Sequence, residues 1–527
     1  MSLVDAASLA PGVETGAIRR PTAVVARHRR LAPYAAVGTA LFVAMAVHTL
    51  NESWASPDFW MYLAAVRELA DHPFDPSHPL MVGTDPDPYL SPYTWVLGAV
   101  SRVTGAGGVS VLAAAGLANL FLLLIGLYRL VTTLSSRSLA PALTLVFTLF
   151  AWGFPPWRWS GFLNANSIGT VLPLASTLAT ALALLALSAA LRWLRSGSRV
   201  ELALVGVTTP LIITCHPFTA TWAAAVGLGF VAATSDGDRG RVVALGALAV
   251  GVAGLALAWP FYPVVELPAA SGGLKASNAA IFSRVVPRTF LALPGLLAIG
   301  LRLRERRRDP IVLGFGAAST VFAVGWVLDR PTLGRVLPAV MLLLHIALAD
   351  LVARWLRDAR GQRRAVMIAA VSLGVAVGVA GSAAGMIRAA PRAHLPAGLA
   401  DRPELESLVD RYRPLGDRIS RDDVVAASDS LALASAAISG KVIAPFVGAP
   451  FVDDMTERER TVNTILDPDT TAAQRQRWLG RYGVDWLVLT PRDAEGLREA
   501  GAFAGGSLVP EAKTPTFVIV RVAEGRS

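Results

Sequence analysis

The feature that most constrains this chain is a succession of apolar runs, each close to the roughly 20 residues that a helix needs to cross a bilayer's hydrocarbon core. They lie at 31–50, 109–130, 139–154, 168–194, 200–215, 218–234, 242–263, 286–303, 311–328, 333–353 and 365–386. Backbone amides have no water to bond in lipid, so runs of this length are read as helices. The 527 residues are 54% hydrophobic and 16% charged, too apolar to be hidden in one globular core. The expected fold is therefore a polytopic α-helical membrane protein of about 11 spans.

Charge placement gives an orientation. The net charge of +10 comes from arginines in short clusters between the apolar runs, which argues against nucleic acid as a partner and for the lipid bilayer. One set of alternate loops carries Arg129 and Arg137, then Arg192, Arg195 and Arg199, then Arg239 and Arg241, then the arginines of 302–308, then those of 354–364. By the positive-inside rule these loops and the N-terminus are expected in the cytoplasm, and the protein in the plasma membrane. The other set, at 51–89, 155–167, 216–217, 264–288 and 329–332, is rich in Trp, Pro, Asn and Asp, and is expected outside. The segment 91–104 would invert every later loop if counted as a span. It is read as an interfacial or re-entrant helix, with Tyr93 and Trp95 at the headgroup layer.

The domains expected are a cytoplasmic tail at 1–30, disordered over its first 21 residues, a transmembrane domain at 31–388 and a soluble extracytoplasmic α/β domain at 389–527. The run at 31–50 has span length, against the shorter hydrophobic stretch of a cleavable signal peptide. Beyond 388, short apolar runs alternate with polar helical stretches, the pattern of a small α/β domain. Cys215 is the single cysteine, which excludes a disulfide framework or a Cys-based metal site. There is no P-loop, dinucleotide fingerprint or H-E-x-x-H, and acidic residues are almost absent from the spans, which weakens an ion-coupled transporter reading.

Chemistry is expected where polar residues gather on the outer side. In Ser56-Pro57-Asp58-Phe59-Trp60-Met61-Tyr62, Asp58 lies just beyond the first span at the start of a helix. As a plain structural feature it caps that helix, worth about 1 kcal/mol. The loop continues through Asp71-His72-Pro73, Ser77-His78-Pro79 and Asp85-Pro86-Asp87-Pro88-Tyr89 to the helix ending at Thr104-Gly105. The order is a span, an Asp followed four residues later by Tyr62, a helix, an His-Pro pair, a Pro/Tyr segment, an amphipathic helix ending in Thr-Gly, then a long span. It resembles the GT-C superfamily of membrane glycosyltransferases, which use polyprenyl-phosphate-linked sugars. The stretches Ser439-Gly440-Lys441-Val442 and Tyr482-Gly483-Val484-Asp485-Trp486 also look like the ends of bacterial members. The Ala- and Arg-rich style is similar to actinobacterial proteins that transfer arabinofuranose or mannose onto envelope glycans and lipids.

That resemblance implies an inverting transferase with a polyprenyl-phosphate-linked sugar donor and a cell-envelope glycan or glycolipid acceptor. It gives Asp58 the role of base on the acceptor hydroxyl. Asp85 and Asp87 stand as a second carboxylate, for a divalent metal ion or for sugar hydroxyls, or as a Pro-flanked turn. Arg284, Arg288, Arg330 and Arg335, just before two spans, are candidates for the lipid phosphate, whose oxygens match the planar guanidinium fork; plain snorkelling is the competing reading. Arg335 is preferred because the resemblance places a phosphate-binding Arg at the start of a late span. The second outer loop, Pro155-Pro156-Trp157-Arg158-Trp159-Ser160-Gly161-Phe162 with Asn164 and Asn166, combines stacking surfaces and amide donors suited to sugar, with Trp157, Arg158 and Asn164 as site candidates, though a membrane aromatic belt has the same composition. His216, in a turn between spans, offers a neutral imidazole or a purely structural one. The alternatives to a transferase are a flippase for a lipid-linked glycan and a non-catalytic envelope-assembly scaffold.

Overall fold

The computed structural model describes residues 23–50, 57–234, 238–267, 278–390 and 408–523. The tail expected to be disordered at 1–21, the start of the acidic loop at 51–56 and the first residues of the expected soluble domain lie outside them. The chain is a multi-pass membrane protein, a helical bundle followed by a small sheet unit. The bundle helices are α1 (Ala23–Leu50), α2 (Pro57–Asp71), α3 (Pro92–Thr104), α4 (Gly108–Leu134), α5 (Ala140–Phe150), α6 (Ile168–Val171), α7 (Ala175–Ser196) and α8 (Arg199–Cys215). They continue with α9 (Pro217–Thr234), α10 (Arg239–Leu257), α11 (Val285–Thr289), α12 (Pro294–Glu305), α13 (Pro310–Val327), α14 (Leu337–Asp358) and α15 (Gly361–Ala389).

Among the described residues, eight helices are long and apolar enough to cross a membrane. A ninth is added if 285–292 and 294–305, bent by 60° at their junction, form one broken span. The difference from the eleven expected runs lies in α5 and α8, of 11 and 17 residues. Local chemistry shortens them. Helix α8 starts on Arg199, carries Glu201 in its first turn and stops at His216, where the following Pro217 disfavours helical backbone. The run at 168–194 is likewise divided, because Pro173 separates the single turn of α6 from α7.

The segment after the first span folds as two packed helices. Helix α2 opens with Pro57 in its first turn and places Asp58 there, where the positive end of the helix dipole favours a carboxylate. Helix α3 is closed by a capping box in which Ser91 and Thr94 bond each other's backbone, and ends on Gly105 in the left-handed conformation. The two helices touch at Gly98, where a Cβ would stand 2.7 Å from that of Leu69, so only glycine permits the approach.

The sheet unit has helices α16 (Leu408–Gly416), α17 (Asp429–Ile438), α18 (Met455–Leu466), α19 (Ala472–Tyr482) and α20 (Pro491–Glu499). Its strands are β1 (Val424–Ala427), β2 (Lys441–Val442), β3 (Trp486–Leu489), β4 (Leu508–Lys513) and β5 (Val518–Val522), in the order β2-β1-β3-β5-β4. Strand β1 is parallel to both β2 and β3, and β5 pairs antiparallel with β3 and β4. Edge strand β2 does not end the hydrogen bonding. Val442 N donates to Leu80 O at 3.0 Å and Val82 N to Val442 O at 3.1 Å, so the acidic loop extends the sheet.

Helix α2 is fixed against this unit by apolar packing and by charge. Phe59, Trp60, Leu63 and Val66 share one buried cluster with Tyr412, Leu415, Leu431 and Phe517, and the Trp60 and Tyr412 rings meet edge-on at 5.7 Å. Glu68 is 1% exposed; it accepts from Ser77 N at 2.9 Å and Ser77 Oγ at 2.8 Å, and lies 3.2 Å from Lys441 Nζ and 3.4 Å from Arg421. Burial alone would raise its pKa, but the Ser77 bonds and Lys441 hold it below the usual range. A buried charge left without such partners would be strongly destabilising, so the seam is fully compensated.

Candidate active site

The site is assembled where the first turn of α2 meets the start of α14. Asp58 is half-buried there, and burial raises its pKa while the charge of Arg335 pulls it back only in part. One turn on, Tyr62 is buried, its ring edge-on to Tyr89 at 5.0 Å and to Tyr93 at 6.2 Å. Burial first, then the nearby Asp58 charge, keeps the Tyr62 and Tyr89 phenols protonated far above neutrality, so both are donors. Tyr93 is held from behind, donating to Pro173 O at 2.7 Å and accepting from Asn119 Nδ2 at 3.0 Å.

Arg335 sits in a 3-10 turn, Pro331–Val336, directly before α14. Its Nε donates to Asn278 Oδ1 at 2.8 Å and one Nη to Ser160 O at 3.2 Å. The guanidinium lies over the rings of Trp159 and Phe218, at 5.1 and 5.4 Å. These partners are neutral. Among the described residues no carboxylate is in ion-pair contact with Arg335, and no partner takes its second Nη. Asn278 is fully buried, and its Nδ2 also finds no partner among the described residues.

His216 caps α8 beside this cation. Its Nδ1 accepts from Thr219 N at 3.3 Å and lies 2.8 Å from Thr219 Oγ1, which leaves the ring proton on Nε2. Burial, with a smaller contribution from Arg335, pushes its pKa down to about 3, so the ring is a neutral donor at physiological pH. Gly161, at φ +83°, turns the second loop past the His216 ring, where a Cβ would stand 3.8 Å from Cε1, a conformation that glycine adopts without strain.

Asp58, Tyr62, His216 and Arg335 are therefore brought together, and of the other sequence candidates Asp87 reaches the cluster through Tyr89. Asp87 is 3% exposed, accepts from Tyr89 N at 2.7 Å and lies 3.3 Å from His78 Nε2; it fixes the backbone that carries Tyr89. Burial pushes Asp87 up to about 7, and His78 down to about 3. Asp85 lies beside Gly83, where a Cβ would stand 3.0 Å from its Oδ2. Among the described residues no group of three metal-ligating side chains converges.

In the second loop, Trp157 is 1% exposed and packed beneath Arg288 at 4.9 Å. Asn164 is spent on the loop itself, donating to Trp157 O at 2.9 Å and accepting from Asn166 N and Ser167 N at 3.0 and 3.1 Å. Arg158, Arg284 and Arg330 are exposed. The loop's contribution at Arg335 is instead Trp159 and the Ser160 carbonyl. The sequence placed Trp159 in the sugar-binding loop without choosing it over Trp157, and pointed to none of Tyr89, Asn278 and Thr219 as site residues. Tyr89 stood between two prolines and an aspartate that pointed to a turn, and Asn278 had only its polarity in an Ala-rich stretch to mark it.

The arrangement supplies one half-buried carboxylate facing a cluster of donors: a guanidinium, an amide, an imidazole N–H and two phenols. It can take a proton from a hydroxyl and hold an oxyanion opposite it.

No protein-family model matches the chain, and no curated protein matches it in sequence. Its structure is similar to cryo-EM structures of the arabinofuranosyltransferase AftD from Mycobacteria. One gives a TM-score of 0.56 at 16% identity over 92% of this chain and 41% of that one; a second gives 0.55 at 16% identity over 92% and 40%. The chain thus spans about two fifths of that enzyme's length. It is also similar to the Archaeoglobus fulgidus oligosaccharyltransferase tethered with an acceptor peptide, with a TM-score of 0.50 at 12% identity over 94% of this chain and 74% of that one. At these identities the likeness is one of fold.

Proposed function

We propose, from the premise that this chain has the fold of the GT-C membrane glycosyltransferases, that it transfers a sugar from a polyprenyl-phosphate donor to a cell-envelope glycan or lipid acceptor. The structural neighbours, an arabinofuranosyltransferase and an oligosaccharyltransferase, support glycosyl transfer as the reaction class, and the former favours arabinofuranose over mannose as the sugar. The observation that carries the reading is a half-buried Asp58 that feels the charge of Arg335, while among the described residues no carboxylate is in ion-pair contact with that arginine.

Asp58 acts as the base. An alcohol is a weak nucleophile, and a carboxylate with a raised pKa is a stronger base than an ordinary one. As the acceptor oxygen bonds to the anomeric carbon, its proton passes to Asp58, the bond from that carbon to the phosphate oxygen breaks, and the polyprenyl phosphate leaves with the electron pair. Attack opposite the leaving group inverts the anomeric centre. The leaving phosphate gains negative charge as the bond breaks. Arg335, with Asn278 Nδ2 and the neutral His216, presents fixed donors to that charge, which stabilises the transition state more than the bound donor. The phenols of Tyr62 and Tyr89 suit the sugar hydroxyls. On the positive-inside reading this occurs at the outer face, where the sheet unit, fixed to α2 through Glu68, guides the acceptor.

The test is transfer of radiolabelled sugar from a panel of polyprenyl-phosphate donors to envelope glycans, with wild type and Asp58→Asn compared after both are shown to be folded. Product in the wild type and none in the variant is expected. Equal product from both removes Asp58 from the mechanism, and no product from any donor turns the reading towards the flippase or scaffold.

A further inference from the structure

The arginine-rich end of the bundle holds a second polar site, remote in the fold from the first. The C-terminal ends of α4, α7, α12 and α14, with the start of α13, enclose a polar cavity of about 230 Å³. By the same measure a single water requires only about 10–15 Å³. Five guanidinium groups and three carboxylates line it.

Their pairing leaves cations over. Arg302 is neutralised twice, by Asp309 at 2.8 Å and Asp350 at 2.6 Å. Arg354 pairs with Glu305 at 2.6 Å. Arg137 reaches only the already engaged Asp350, at 3.8 Å, and Arg195 donates to the Thr133 carbonyl at 2.8 Å. The Arg306 side chain has no partner among the described residues. Two positive charges therefore remain uncompensated around a polar space, at the end of the spans where lipid headgroups lie.

Like charges held together around a cavity repel one another, and a bound anion relieves that repulsion. The guanidinium fork matches phosphate oxygens, and basic pockets between spans at headgroup level are suited to anionic lipid heads. We propose that this cavity binds the phosphate of an anionic phospholipid headgroup, through Arg137 and Arg306. The site is independent of the transfer reaction.

The test uses the whole protein in nanodiscs of phosphatidylcholine with a graded fraction of phosphatidylglycerol. After detergent extraction, native mass spectrometry reads the lipid retained. Wild type is compared with Arg306→Gln, with Arg137→Gln/Arg306→Gln, and with Arg357→Gln, which removes an exposed charge next to Asp358 and outside the cavity. Wild type and Arg357→Gln should retain phosphatidylglycerol alike, with retention falling about fivefold for each cavity arginine removed. Arg306 is exposed and unpartnered, so its single variant keeps the test sound if the double variant folds poorly. Equal losses in Arg357→Gln and Arg306→Gln would mean diffuse surface attraction and overturn the proposal. So would wild type that prefers neither lipid but is stabilised by inorganic phosphate, which assigns the cavity to a soluble phosphate.

Discussion

Arg335 and Arg302 flank opposite ends of α14 and differ in every partner. Arg302 is held between Asp309 and Asp350, and its charge is cancelled inside the fold. Arg335 is bound by an amide oxygen, a carbonyl and two aromatic faces, which fix its direction and leave its charge in place. An arginine with two carboxylates ties helices together. One positioned only by neutral groups, beside a carboxylate kept out of contact, presents a charge to something that arrives. On the proposed mechanism, the two ends of one helix thus separate a structural cation from a functional one.

The comparison can be broken most directly at Asp58. Asp58→Asn should lower transfer by about 10²–10⁴-fold, the usual contribution of a positioned base, with thermal unfolding of the detergent-solubilised protein unchanged or improved. A large fall in stability together with activity would make Asp58 a structural residue like Asp309. Next in size is the pair Arg302→Met and Arg335→Met. The first leaves Asp309 and Asp350 facing each other and should cost up to about 3 kcal/mol of stability, while the second should leave the unfolding midpoint near that of wild type and remove transfer. Reversed outcomes would exchange the two roles.

Arg335→Lys sharpens the comparison, because it keeps the charge and loses the fork. A loss of about 1.5–3 kcal/mol in kcat/KM is expected, the worth of charged hydrogen bonds, falling mainly on kcat if Arg335 acts on the leaving phosphate in the transition state. The smallest effect is on pH dependence. Asp58 holds its proton to a higher pH in the folded chain than its ordinary value of 3.8. Between those two values the folded state binds more protons than the unfolded, so its stability contribution falls as pH rises through the window, while kcat/KM rises as the base ionises. Asp58→Asn should flatten the stability profile there; a profile identical to wild type would place the titration elsewhere.

The apolar runs, the alternation of arginine clusters and the switch to short alternating elements near 400 were legible because each is a local pattern. Helix length, caps and breaks depend on neighbours within one or two turns, and even the shortening of α8 is written in the adjacent Arg199 and Pro217. Asp58, His216 and Arg335 were also named from the sequence, as polar residues at span ends, and Tyr62 through the spacing that carries the resemblance, which also singled out Arg335. Nothing local says which of two tryptophans two positions apart faces the guanidinium, and the fold buries Trp157 under Arg288 while giving Trp159 to Arg335. Asn278, the pairing of residues 80–82 with β2 and the burial of Glu68 against Lys441 are equally silent in sequence.

What the sequence determined by itself was the membrane, the helices and the polar ends of those helices, because hydrophobic length and charge act on each segment separately. The tertiary structure alone decided which polar ends meet. Arg335 and Ser160 are 175 residues apart in the chain, and whether an arginine is neutralised by carboxylates or left charged depends on helix packing across such distances, where no sequence period reaches.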